Sequence, residues 1–123
     1  MKSRLVSLLA VCLLAISSFL IAAPASADSY TVKMGADSGQ LKFVPESLTV
    51  KPGDTVEWVM NKLAPHNVVF EAAAAKGLSH DQLSFNSGET FSVTIPKDLP
   101  AGTYSYFCQP HRGAGMVAKL VVE

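Results

Sequence analysis

A chain of 123 residues, with ten basic and ten acidic side chains and therefore no net charge, has room for a single domain. With 49% apolar residues it can bury one compact core. Because it has no excess of Lys and Arg, it offers no basic surface, and this excludes the classes of protein that bind nucleic acid.

The first segment has the features of a Sec-type signal peptide. Two of its first four residues are basic, residues 5–23 form an apolar run without acidic side chains, and small residues in an A-x-A arrangement end at Ala27. We expect cleavage there, which divides the chain into a signal peptide, 1–27, and one exported domain, 28–123. The alternative is a retained membrane anchor, since the run approaches the roughly 20 residues that a bilayer requires.

Cleavage changes both the charge and the cysteine content of the domain. The signal peptide contains two basic residues and no acidic residue, so the domain carries a formal charge of −2. Cys12 is removed as well, and Cys108 remains as the lone cysteine. An exported domain with one thiol has no internal disulfide. This thiol must therefore be buried, form a disulfide between chains or serve as a functional group.

Short runs of β-type residues, separated by turn residues, follow the signal peptide. Strands are predicted at 30–34, 41–44, 47–50, 55–60, 66–70, 90–95, 103–107 and 116–122. Pro52 and Gly53 give a strong turn signal between the third and fourth runs. Seven or eight short strands at this spacing predict an all-β fold, an antiparallel sandwich or barrel.

One segment departs from the strand pattern. Residues 71–79 are rich in Ala and favour one short helix or helical turn that crosses between sheets, with Gly77 ending it or disrupting its last turn. His80, just after this segment, is expected on the surface. The aromatic side chains expected in the core are Phe43, Trp58, Phe70, Phe85 and Phe91.

The nine residues from Cys108 to Met116 contain a thiol, the imidazole of His111 and a thioether on one predicted loop. His66, at the start of another strand, can enter from a neighbouring loop as a fourth donor. Two imidazoles, one thiolate and a weak axial Met form the ligand set of a blue copper site. Structural zinc normally recruits a second Cys or His instead of Met, and catalytic zinc keeps a position open for water. The sequence therefore predicts one copper ion cycling between Cu(I) and Cu(II), in an electron carrier and not an enzyme.

Five blocks of the domain match a known family, namely 32–39, 51–56, 61–70, 78–80 and 110–117, and the last block together with its Cys is highly specific. On these blocks the sequence resembles the plastocyanin family in its cyanobacterial form. The resemblance implies a cupredoxin-like Greek-key β-sandwich and a monomeric shuttle in the thylakoid lumen, peripheral to the membrane. It also implies that cytochrome f of the cytochrome b6f complex gives electrons to the chain, and that photosystem I receives them.

The resemblance also assigns roles to individual residues. It implies copper ligands at His66, Cys108, His111 and Met116. Asn67 matches a residue that braces the ligand loops by hydrogen bonding near the Cys. Arg112 matches a residue that assists docking. An apolar docking patch around the edge of the exposed His ligand is implied at Gly39, Leu41, Leu63, Pro65, Gly113 and Ala114.

Several positions depart from the family pattern. Phe107 stands where Tyr is usual and lacks the hydroxyl of the family's second docking site, while Met60 and Ala118 replace a common Asn and a common Gly. Acidic clusters of the plant type are absent, since four alanines follow Glu71. We therefore expect association through the apolar patch, with weak salt dependence.

Two alternatives remain from the sequence. Pseudoazurin, another cupredoxin carrier, shares the Cys-x2-His-x4-Met spacing, but that family extends beyond its last strand with helices, whereas this sequence stops at Glu123. A copper-delivery or storage module favours exchangeable sites rich in Met or paired Cys. An enzyme is disfavoured because no paired carboxylates, nucleophile–base pair or open metal position stands out.

Overall fold

The computed structural model describes residues 26–123, so the predicted signal peptide lies outside it except for its last two residues. This part of the chain forms nine strands and two 3₁₀ helices. The strands are β1 (Ser29–Met34), β2 (Phe43–Val44), β3 (Ser47–Val50), β4 (Thr55–Met60), β5 (His66–Phe70), β6 (His80–Ser84), β7 (Thr90–Thr94), β8 (Gly102–Phe107) and β9 (Val117–Val122). The 3₁₀ helices are Ala73–Leu78 and Gln109–Ala114. Within residues 26–123, no helix is long and apolar enough to cross a lipid bilayer.

The strands form two sheets, ordered β2-β1-β4-β7 and β3-β9-β8-β5-β6. Five of the strand pairings are antiparallel, as the sequence predicts. The pairs β1–β4 and β3–β9 run parallel, which the sequence analysis did not anticipate. Other strands lie between the members of each parallel pair along the chain, and such long crossovers are what parallel pairing requires.

The core lies between the sheets and follows the alternation of side chains along the strands. In β4, Val56, Trp58 and Met60 are buried while their neighbours face outward. Tyr106 packs edge-on against Trp58, with ring centroids 5.8 Å apart, and against Phe43 at 4.8 Å. This aromatic cluster fixes the separation of the two sheets.

The prediction that Phe85 lies in the core is wrong, and the predicted burial of Phe91 and His80 needs adjustment. Phe85 is 59% exposed, because Ser84 takes the inward position at the end of β6 and the next side chain points outward. Phe91 is half-buried and stacks on Trp58, with centroids 5.2 Å apart. His80 also stacks on Phe91, with ring centroids 4.1 Å apart, and is half-buried and not simply a surface residue.

The connection between β5 and β7 differs from the prediction in two ways. The predicted helix over 71–79 is a shorter 3₁₀ helix, Ala73–Leu78, and Gly77 lies inside it instead of ending it. The edge strand β6 was missed, since its sequence HDQLS has three exposed central residues and no apolar alternation. Strand β6 pairs with β5 beside His66, so it borders the region described next.

Candidate metal centre

Three neighbouring strands bring the predicted ligands to one end of the second sheet. His66 is the first residue of β5, Cys108 directly follows β8, and Met116 directly precedes β9. His111 lies in the 3₁₀ helix that joins β8 to β9, where the sequence predicted a tight loop. Because β8 pairs with both β5 and β9, these four positions come together at the same end of the sheet.

The donor atoms of three of these residues converge. Cys108 Sγ lies 3.6 Å from His66 Nδ1 and 3.6 Å from His111 Nδ1, and all three atoms lie within 4.8 Å of one another. Bonds of about 2.3 Å from a metal ion to thiolate sulfur and about 2.0 Å to imidazole nitrogen span roughly 3.6 Å across a tetrahedral angle. The spacing therefore fits one metal ion bound by all three atoms.

His66 is held in the tautomer that metal binding requires. Its Nε2 donates to the backbone carbonyl of Lys62 at 2.5 Å, so its Nδ1 faces Cys108 with a free lone pair. Burial lowers the pKa of His66, which keeps the imidazole neutral and able to coordinate.

Cys108 is fully buried, and burial raises the pKa of its thiol. The backbone N–H groups of Asn67 and His111 act in the opposite direction by stabilising the thiolate. A metal ion bound here must displace the thiol proton, after which these N–H groups support the negative sulfur.

Asn67 connects the segments that carry the donors. Its Oδ1 accepts a hydrogen bond from the Gln109 N–H at 2.8 Å, directly after Cys108. Its Nδ2 donates to the Asp81 carbonyl at 3.1 Å and to Gln109 Oε1 at 3.4 Å. The fully buried amide thus ties β5 to β6 and to the segment after β8.

Met116 is fully buried, and its backbone closes the segment between β8 and β9. The Cys108 N–H donates to the Met116 carbonyl at 3.0 Å, and the Met116 N–H donates to the His111 carbonyl at 3.2 Å. Gly115 ends the 3₁₀ helix with φ of +89°, a left-handed conformation that favours glycine. This turn returns the chain to Met116, whose backbone is bonded to both Cys108 and His111.

The sequence analysis missed two residues that position His66. Gly35, after β1, has φ of +88°, and a Cβ atom there would clash with the Lys62 carbonyl oxygen, the acceptor of His66 Nε2. Asn61 holds the two turns together, because its Nδ2 donates to the Gly35 carbonyl at 2.9 Å. The turn glycine is visible in the sequence, but its contact with a carbonyl 27 residues away is not.

The residues predicted to form the docking patch lie in the β1–β2, β4–β5 and β8–β9 connections, of which the second adjoins His66 and the third contains His111. Leu63 is 51% exposed and precedes Pro65 and His66, while Gly113 and Ala114 follow His111 in its helix. Gly39, Gly113 and Ala114 are also exposed, whereas Leu41 and Pro65 are half-buried. Of the three converging donors, His111 alone is not fully buried, so its ring edge is the part of the cluster nearest this surface.

Arg112, next to His111, is held by two contacts at the border of the patch. Its Nη2 lies 2.6 Å from Glu71 Oε1, and its guanidinium carbon lies 3.9 Å from the ring centroid of Phe107. The sequence analysis considered Arg112 and Phe107 separately. It did not predict that Glu71 neutralises the charge of Arg112.

Comparison with known proteins agrees with this geometry. A model of the family described as copper binding proteins, plastocyanin/azurin family, matches residues 30–123. Plastocyanin from Nostoc punctiforme is 50% identical over 120 residues, covering 90% of this chain and 86% of the relative. Chloroplastic plastocyanin from Chlamydomonas reinhardtii is 46% identical over 114 residues, covering 88% and 76%.

The solved structures give the same answer for the fold. A mutant plastocyanin of fern matches with a TM-score of 0.66 at 30% identity, covering 76% of this chain and 99% of the fern protein. The predicted cupredoxin-like β-sandwich, the copper cofactor and the function of a blue copper electron carrier are confirmed. The chain therefore belongs to the plastocyanin/azurin family of copper binding proteins.

Proposed function

We propose that the chain carries single electrons from cytochrome f of the cytochrome b6f complex to photosystem I, using one copper ion held by His66, Cys108, His111 and Met116. The observation that carries this proposal is the convergence of two imidazole nitrogens and one thiol sulfur within 4.8 Å of one another. Met116, fully buried at the same edge, supplies the fourth donor.

The copper ion supplies the one-electron chemistry by alternating between Cu(I) and Cu(II). The protein keeps the donors in place through buried hydrogen bonds, of which Asn67 and the Lys62 carbonyl provide the ones nearest the ligands. Full burial of His66, Cys108 and Met116 excludes water and substrate from that side. These features support a carrier, and neither an enzyme nor a module that releases its copper readily.

Electrons enter and leave through the edge of His111 in this proposal. Its ring is half-buried and is bordered by the docking patch, which presents the exposed Leu63 together with small residues. A largely apolar patch of this kind suits a short-lived complex that brings another redox centre close without binding tightly.

Arg112 assists docking, but Glu71 already compensates its charge. Because both side chains are about half exposed, the ion pair is screened by salt and contributes little to stability. This ion pair supports an association with the partner proteins in which charge plays only a weak part. The lack of plant-type acidic clusters in the sequence supports the same conclusion.

We place this function in the thylakoid lumen, after removal of residues 1–27 as a Sec-type signal peptide and with residues 28–123 acting as a monomer. The name of the chloroplastic plastocyanin relative supports a photosynthetic compartment. The chain is then peripheral to the thylakoid membrane and meets its partners from the lumen side.

Reconstituted electron transfer tests the proposal. Purified copper protein is mixed with reduced cytochrome f, and its oxidation by photosystem I is followed after a light flash. We expect the protein to be reduced by the first partner and oxidised by the second. A protein that is blue but exchanges electrons with neither partner would leave the copper site intact and reject these partners.

A further inference from the structure

A buried carboxylate lies at the end of the sandwich opposite the metal donors. Asp54, just before β4, is only 3% exposed. Its Oδ1 accepts a hydrogen bond from the Asp28 N–H at 2.9 Å, and its Oδ2 accepts one from the Lys51 N–H at 2.8 Å. Among residues 26–123, no cationic side chain lies within 4.0 Å of it. Since buried charges are normally paired, this carboxylate calls for a cation.

Asp28 is held in place by the sheet and not by its contact with Asp54 alone. Its carbonyl accepts a hydrogen bond from the Thr55 N–H at 2.9 Å, and the next residue, Ser29, is in register with Thr55 in the β1–β4 pair. The nitrogen of Asp28 is therefore fixed against the Asp54 carboxylate by backbone geometry.

Asp28 is also the first residue after the proposed cleavage site. Hydrolysis of the bond between Ala27 and Asp28 consumes one water, leaves a carboxylate on Ala27 and leaves an amine on Asp28, which takes up a proton near neutral pH. We propose that this cleavage converts the amide donor of Asp28 into an α-ammonium group that forms an ion pair with Asp54. The inference rests on the proposed processing of the signal peptide.

The charges around Asp54 favour such a cation. The negative charges of Asp28, Asp54 and Glu123 all help to raise the pKa of Tyr30, after the larger effect of its desolvation, so these three carboxylates lie near one another. Lys51 and Lys97 line the same surface cavity as Asp54 and supply the nearby positive charges. One more positive charge reduces the excess of negative charge in this group.

The pH dependence of the pair follows from the two ionisations. An ordinary α-amine has a pKa of about 7.7 to 8.0, and a paired ammonium has a higher one, so its contribution is present at lower pH and is lost as pH rises through the raised value. Hydrogen bonds from the Asp28 and Lys51 N–H groups lower the pKa of Asp54. The contribution of Asp54 is lost as pH falls through that lowered value, so the pair is complete near neutral pH.

The experiment uses the exported copper protein as purified. Mass spectrometry identifies its first residue, and nuclear magnetic resonance follows the titration of its α-amine. We expect Asp28 as the first residue and an α-amino pKa raised by about one unit or more, a tenfold change in proton affinity. Asp54→Asn should abolish the shift, whereas Glu57→Gln, which removes a carboxylate from the strand that follows Asp54, should preserve it.

A second measurement does not depend on the folding of Asp54→Asn. Acetylation of the α-amine leaves Asp54 intact but removes the cation, so we expect a lower denaturation midpoint at pH 7 and no difference once pH exceeds the raised amine pKa. A first residue other than Asp28, an α-amino pKa of about 7.7 to 8.0, or equal midpoints at pH 7 would each overturn the inference. Since none of these readouts involves the copper ligands or the redox partners, failure here leaves the proposed electron transfer untouched, and a first residue other than Asp28 would change only the proposed cleavage site.

Discussion

The donor cluster and the docking patch lie at the same end of the sandwich but are built differently. His66, Asn67 and Cys108 are fully buried, and hydrogen bonds tie them to other segments of the chain. In the patch, Leu63 is 51% exposed, and Arg112 at its border is held by an exposed ion pair with Glu71 and by the ring of Phe107. Changes in the cluster should therefore alter the copper, whereas changes in the patch should alter association alone.

The largest effect is expected from Cys108→Ser. Removing the thiolate should abolish the intense blue absorption of the Cu(II) form, because that colour depends on the bond between copper and sulfur. Met116→Leu is the control within the same site, and we expect it to keep copper and shift the reduction potential upward. Visible spectroscopy and potentiometry measure both variants, and a serine variant that stays blue would contradict the ligand assignment.

The next largest effect is expected from Gly35→Ala, which should differ from the same change at an ordinary turn glycine. Gly35→Ala places a Cβ atom against the Lys62 carbonyl, so the acceptor of His66 should move and the copper spectrum should change. Gly88→Ala is the control, since φ is +91° there and nothing lies within 4 Å of the added Cβ atom. Both variants should lose about 1 to 2 kcal/mol of unfolding free energy from the left-handed backbone alone.

Denaturant titration measures the shared loss of stability in these two variants, and visible spectroscopy measures the difference at the copper. Unchanged spectra in both variants would mean that the Lys62 carbonyl does not position His66.

A smaller effect is expected in the patch. Leu63→Ala removes exposed apolar contact with the partner, so electron transfer with cytochrome f should slow by roughly fivefold, which corresponds to about 1 kcal/mol. Leu83→Ala, an exposed leucine on β6 outside the patch, should leave the rate unchanged. Stopped-flow kinetics provide the rates, and both variants should keep the blue spectrum. Equal rates in the two variants would argue against the patch.

The smallest effect is expected from Glu71→Gln. Without its carboxylate partner, the charge of Arg112 is no longer compensated, so the dependence of the transfer rate on ionic strength should become steeper by less than about threefold over the usual salt range. Asp98→Asn changes the net charge equally in a loop after β7 and serves as the control. Identical salt dependence in the two variants would show that only net charge matters.

Much of the fold was predictable from local patterns. Alternation marks β4 and β9, where every second side chain is buried. It failed for β6, because an edge strand with Asp81, Gln82 and Leu83 exposed needs no apolar face. It failed for Phe85 because Ser84 takes the inward position at the end of β6, so the next side chain points outward. The two parallel pairings were also missed, since they join strands that are distant in sequence.

The donor set was predictable because its chemistry is concentrated in sequence. A thiol, an imidazole and a thioether within nine residues identify the metal without any knowledge of the sheets. The supporting contacts are different, since Gly35 meets Lys62 and Arg112 meets Glu71 only after the chain has folded. Residues that bind the metal carry their own signal, whereas residues that orient those ligands do not.

The measurement closest to the central claim is a titration of the purified, metal-free domain with Cu(II), followed by visible spectroscopy. We expect an intense blue absorption that rises linearly and stops at one copper per chain, because His66, Cys108, His111 and Met116 form a single closed site. A colourless Cu(II) protein, or binding that continues past one equivalent with the same colour, would contradict this account.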